Sequence, residues 1–266
     1  MKILILGAGK SGTSALHYCL KTSAEKHFGG SFGGKFEAKS DEEVRDGISE
    51  QCVFKILLER FSTFADRDGT LARFDKRVLI IRDPRDALIS RLMWQIATRI
   101  ESATNIMAVD ELNDALVAKE VAPDCVSVYD LYRLAGQMMR GDIGEATYPF
   151  EGRRLAYLPY EFSRSDDLFL LRYEDFVDHN VADLQAYLGF PLTFDFEIPG
   201  KAARVFRTGT YGNWRNWFTV EDYRFFVDPE REKLLALGYE DERPEGPKSI
   251  SPAEISGYLK RVSKVA

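Results

Sequence analysis

Cysteine and histidine are scarce in this chain of 266 residues, with three of each. Cys19, Cys52 and Cys125 are an odd number without CxxC or CxxH spacing, which excludes a disulfide framework, argues against a zinc site and fits a reducing compartment. Basic residues are outnumbered as well: 36 Lys and Arg face 42 Asp and Glu, a formal net charge of −6. A protein that wraps a nucleic acid polymer needs a concentrated basic face, so that class is excluded and any anionic ligand must be held locally. Long apolar runs are missing too. The opening run, Ile3 to Leu6, has four residues, too few for the apolar region of a signal peptide or for a membrane span. Internal repeats and low-complexity tracts are absent, and the expected location is cytoplasmic.

What is present is enough apolar material, 45% of residues, to bury one good core, and a single domain over residues 1–266 is expected. Ile3 to Leu6 is apolar without alternation, the pattern of a strand buried on both faces of a parallel sheet. Glycines follow at once, and from Ser14 the positions Ala15, Leu16, Cys19 and Leu20 recur at helical spacing, which gives strand, tight turn and helix. Short apolar runs predict further strands at Val53 to Leu57, Val78 to Ile81 and Leu168 to Leu171. Pro84 opens a helix to about Arg99, and Val181, Leu184 and Leu188 mark another that stops at Gly189 and Pro191. The fold class is therefore α/β, a mostly parallel central sheet flanked by helices. Residues 98–165, longer than a crossover needs, read as a substrate-side helical insertion. Gly29 to Gly34 reads as a mobile loop, and Arg243 to Lys248 as a linker before a last helix from Pro252.

The first glycine loop, Gly7-Ala8-Gly9-Lys10-Ser11-Gly12, admits three readings. It satisfies GxGxxG after a strand, but a dinucleotide site of the Rossmann type wants an acidic residue about twenty positions on at the end of a second strand, where Glu25 to Gly34 has no strand character. Gly9-Lys10-Ser11 imitates the end of a Walker A loop, yet Leu4 and Ile5 stand where that motif begins with glycine. Third, Lys10-Ser11-Gly12-Thr13-Ser14 resembles the phosphosulfate loop of sulfotransferases that use 3′-phosphoadenosine-5′-phosphosulfate (PAPS). In all three cases free backbone N–H groups and the positive end of a helix dipole favour a phosphate.

Two further segments carry that resemblance. Val78 to Arg91, VLIIRDPRDALISR, is similar to the family's 3′-phosphate segment, with Arg82 at the strand's end and Ser90 eight residues later. An arginine suits because its planar fork grips two phosphate oxygens at once. The same segment also offers Asp83 or Asp86 as a helix cap with Arg82, Arg85 and Arg91 as surface partners. Arg207 to Thr219, RTGTYGNWRNWFT, resembles the family's last motif, and the resemblance returns Arg207, Thr208 and Gly209 to the 3′-phosphate. Thr208 stands where a lysine is common. Leu168 to His179 resembles a family segment of architectural role, and Arg172, Glu174 and Asp175 read as a strand-end network.

The resemblance implies a P-loop-like sulfotransferase that moves the sulfuryl group from PAPS to a hydroxyl or amine of a small-molecule, carbohydrate or lipid acceptor, without a metal. The other product is 3′-phosphoadenosine-5′-phosphate (PAP). Lys10 is assigned to the leaving phosphate, and Ser11, Gly12, Thr13 and Ser14 to donor binding. For the general base Glu37 is chosen, because Phe36-Glu37 resembles the arrangement of carbohydrate-type members; His27 is the alternative and Glu59 a more remote one. His17 and His179 are placed on helix surfaces. Two other functions stay open: an NAD(P)-dependent Rossmann-type oxidoreductase, and a noncatalytic PAP-binding module.

Overall fold

The apolar run at the N-terminus becomes a central strand. In the computed structural model, which describes residues 1–263 apart from 104, 141–146, 205 and 247–248, Ile3, Leu4, Ile5 and Leu6 are fully buried. The last two residues of the linker, 247–248, thus lie outside the described residues, as do 104 and 141–146 of the segment 98–165. The strands are β1 (Lys2–Gly7), β2 (Cys52–Leu57), β3 (Lys76–Ile81) and β4 (Phe169–Arg172). The first helices are α1 (Thr13–Phe28), α2 (Asp41–Gly47), α3 (Leu58–Phe61), α4 (Arg67–Ala72) and α5 (Pro84–Arg99). Then come α6 (Ile106–Val121), α7 (Val128–Arg140), α8 (Tyr148–Ala156), α9 (Tyr173–Val177) and α10 (Ala182–Leu188). Last are α11 (Gly200–Ala203), α12 (Trp214–Trp217), α13 (Val220–Phe226), α14 (Arg231–Ala236) and α15 (Ser256–Val262). Among the described residues no helix is long and apolar enough to cross a membrane.

The chain divides into two compact units, one made of Met1–Arg82 and Leu158–Ala202, the other of Asp83–Tyr157 and Ala203–Ala266. The first holds the sheet, in the order β2-β1-β3-β4, and every pairing is parallel. Gly7 at the end of β1 pairs with Leu57 on one side and Ile80 on the other, so three strands finish level at one edge. α1 packs on β1 and β2, and α10 on β4, where the Tyr187 hydroxyl accepts from the Arg77 N–H at 2.9 Å and the ring stacks on Phe169. The end of the segment expected to be a mobile loop, Gly33 and Gly34, is instead tied down. Gly33 N–H donates to the Gln51 carbonyl and Val53 N–H to the Gly33 carbonyl, Lys55 N–H donates to Lys35 and Ala38 N–H to Lys55, which lays residues 33–38 along the free edge of β2. Gly34 permits this, since a Cβ there would overlap the Val53 backbone, and its φ of +115° suits glycine.

The second unit is helical. α5 begins with Pro84 at its first position, and Asp83 caps it by accepting from Arg85 N–H at 2.9 Å. Its arginines are not surface partners: Arg85 and Arg91 are buried, as is Arg82 before the helix, and Arg85 is clamped on Asp83 and on the Glu240 and Glu242 carbonyls. Asp86 accepts from the N–H groups of Gly212 and Trp214 and so fixes the start of α12. Asp222 accepts from the N–H groups of Thr219, Val128 and Tyr129, and thereby joins the capping box of α13 to the start of α7. Lys119, fully buried, donates to the carbonyls of Pro123, Val126 and Trp217; burial lowers its pKa to about 8 against the pull of Asp222.

Candidate functional site

In a parallel sheet of this order the connection from β1 leads to one side and the connection from β2 returns to the other, which opens a crevice beyond the carboxyl ends of β1 and β3. The glycine loop fills that position. Lys10 adopts φ +75° and Gly12 φ +92°, left-handed conformations that reverse the chain between Gly7 and Thr13. Lys10 bears the strain of a side chain in that region, of order 1 kcal/mol or more, and such strain collects at functional sites. Ser11 closes the turn on the Ala8 carbonyl with both its N–H and its hydroxyl. Neither Gly7 nor Gly12 tolerates a Cβ, which would meet Thr13 and Ile80 at one and the Tyr173 ring at the other. α1 starts directly behind with no side-chain cap, so its first-turn N–H groups face out of the helix end toward the loop.

Three cations belong to this loop. Lys10 is part of it. Arg82, one residue past β3, donates from Nη1 to the Lys10 carbonyl at 3.2 Å and stacks on Tyr173 with its guanidinium carbon 4.6 Å from the ring centre. Lys55 comes from the middle of β2, 1% exposed, and donates to Ser14 Oγ at 3.1 Å and to Glu37 Oε1 at 2.6 Å. Its ammonium lies 3.7 Å from the centre of the Phe36 ring. Burial holds Lys55 below the usual lysine range, although Glu37 pulls the other way. Glu59, just after β2, accepts from the Gly9 N–H at 2.9 Å.

Glu37 therefore reaches the glycine-loop end of the sheet through Lys55, with φ +132°, a backbone state that glycine normally takes. His27 does not reach it. It is exposed in the last turn of α1, against Phe28 and Phe190, and a helix rising 1.5 Å per residue carries it roughly 20 Å beyond Thr13. His17 corrects the surface placement: it is 5% exposed and packs edge-on against Phe36 and Tyr18. His179 follows α9 in a left-handed turn with φ +62°, its ring stacked on Phe194. Lys55 is the member of this cluster that sequence reasoning passed over. A lone lysine in the strand Cys-Val-Phe-Lys-Ile-Leu was the available signal, because a buried ammonium needs partners.

Ser90, Arg207, Thr208 and Gly209 belong to the second unit. Ser90 is buried on the second turn of α5. Arg207 is buried and forms an ion pair with Glu254. Thr208 Oγ1 accepts from Thr210 N–H and Asn213 Nδ2, which organises the turn, and Gly209 takes φ +71° with open space around its α-carbon. This unit also contains an open cavity of about 490 Å³ between Tyr129 and Phe225, edged by Asp124, Asp130 and Glu221; none of the predicted site residues lines it.

No protein-family model matches the chain, and no curated protein matches it. Among solved structures the chain is similar to mouse sulfotransferase SULT7A1 complexed with PAP, at 16% identity and a TM-score of 0.49, over 89% of this chain and 88% of that one.

Proposed function

We propose that this protein is a sulfotransferase that takes the sulfuryl group of PAPS in line to a hydroxyl or amine acceptor and releases PAP. The observation that carries the reading is the convergence of Lys10, Lys55 and Arg82 on one glycine loop ahead of an uncapped helix, in a protein whose net charge is negative. Such a local concentration of donors and cations fits a compact, highly charged anion. The loop from Lys10 to Ser14 is assigned to the 5′-phosphosulfate. Arg82, Ser90, Arg207, Thr208 and Gly209 are assigned to the 3′-phosphate on the sequence pattern.

In the reaction the bond between sulfur and the bridging phosphate oxygen breaks while a bond from sulfur to the acceptor oxygen or nitrogen forms. Positioning and charge stabilisation supply most of the rate. Lys10 neutralises the charge that grows on the leaving phosphate. Lys55, on Ser14, offers a second ammonium to the sulfonate oxygens, and Glu37, half-exposed beside it, takes the acceptor's proton. A base of this kind contributes about 10²–10⁴ in rate.

PAP at a hundredfold over its dissociation constant is expected to stabilise the protein by about 2.7 kcal/mol, and NADH is expected to leave the melting temperature unmoved. Stabilisation by NADH without any by PAP sinks the proposal in favour of a dinucleotide oxidoreductase. Transfer of labelled sulfate from PAPS across a panel of sugars, lipids, phenols and amines separates an enzyme from a PAP-binding module. Lys10→Ala is expected to lower that transfer roughly 10²–10³-fold; full activity would remove Lys10 from its role.

A further inference from the structure

The second unit contains an anion of its own on the arginine assigned to the 3′-phosphate. The Glu254 carboxylate pairs with the Arg207 guanidinium and also accepts from the Trp217 indole N–H at 3.2 Å, while Arg207 lies over the Trp217 ring with 5.6 Å to its centre. Both partners come from the segment RTGTYGNWRNW, and both side chains of the ion pair are shielded, 3% exposed for Arg207 and 12% for Glu254.

Glu254 is not a swinging surface carboxylate. It ends the 3₁₀ turn Pro252–Glu254, where its N–H donates to the Ser251 carbonyl at 2.8 Å. The next residue, Ile255, is buried, and Ser256 gives its N–H and its hydroxyl to the Glu120 carboxylate at 3.0 and 3.2 Å. Among the described residues the charges around this point include Arg207, Glu254, Glu120 and Arg261, whose guanidinium donates to the carbonyls of Phe206 and Arg207. Thr208 contributes no charge.

We propose that Glu254 is a specificity-determining residue, which competes with the donor's 3′-phosphate for Arg207 and so lowers the preference of this protein for a 3′-phosphorylated nucleotide. The inference rests on the reading of Arg207 as a 3′-phosphate ligand. A phosphate dianion that approaches Arg207 meets a carboxylate already on it, and two anions on one guanidinium repel each other at close range. A nucleotide without the 3′-phosphate does not feel that repulsion.

The test is calorimetric titration of the full chain with PAP and with adenosine 5′-monophosphate. Glu254→Gln keeps the shape and an acceptor for Trp217 while removing the charge. It is expected to tighten PAP at least tenfold and to leave adenosine 5′-monophosphate within twofold. The gain is expected to vanish in Glu254→Gln combined with Arg207→Gln. Glu254→Ala supplies a second variant and is expected to move the ratio in the same direction. A ratio of the two affinities that is unchanged, or a gain that survives the loss of Arg207, overturns this inference alone. Failure of both the native chain and Glu254→Gln to bind PAP overturns the sulfotransferase reading beneath it.

Discussion

His17 is a buried titratable residue with Nδ1 unpartnered among the described residues. Burial first, and then the charges of Lys55 and Lys21, lower its pKa from 6.5 to about 4. As pH falls the unfolded chain takes the proton first, so the stability is fully present above about pH 6.5 and is lost as pH falls toward 4. The difference corresponds to roughly 3 kcal/mol. Urea titrations between pH 7.5 and 4 are expected to show a steeper loss for the native chain than for His17→Phe, and parallel curves would refute the assignment. This burial was not legible in the sequence, because the face of α1 that carries His17 is covered by Phe36, whose attachment beside β2 is a long-range contact. Lys55 was more nearly legible: an unalternated strand buried on both faces gives a lysine nowhere to point except a site.

Among elements, the four strands and the limits of α5 could be read directly, since unbroken apolar runs and a proline at the first helical position act through short-range chemistry. Strand order could not, because nothing in the short apolar runs says that β1 lies between β2 and β3 with β4 outside β3. The attachment of residues 33–38 to β2 was hidden for a related reason: glycines read as freedom when here they permit close approach. Asp222 shows how much one long-range cap can hold. It is fully buried and serves the N–H groups of Thr219, Val128 and Tyr129 at once, while desolvation raises its pKa against those bonds. Asp222→Ala leaves three donors unsatisfied, each worth about 1–3 kcal/mol, so denaturant unfolding is expected to register a loss of about 3 kcal/mol or more. A loss below 1 kcal/mol would show that water replaces the carboxylate.

At the scale of the whole molecule, β4 is supplied from far along the chain. It pairs with β3 through residues 78–81 and 169–172, and the first unit also needs Tyr173 beside Arg82 and Gly12. A fragment of residues 1–157 ends before β4 and Tyr173 and leaves β3 with an unpaired edge. It is expected to lack a cooperative urea transition by circular dichroism, and a sharp two-state transition would contradict the account. The division into units has a further consequence. The chain crosses between them after Arg82, after Tyr157 and after Ala202, so each unit is written in separated stretches. In genetic terms neither is a cassette. No single cut in the coding sequence releases either unit whole and free of the other's residues.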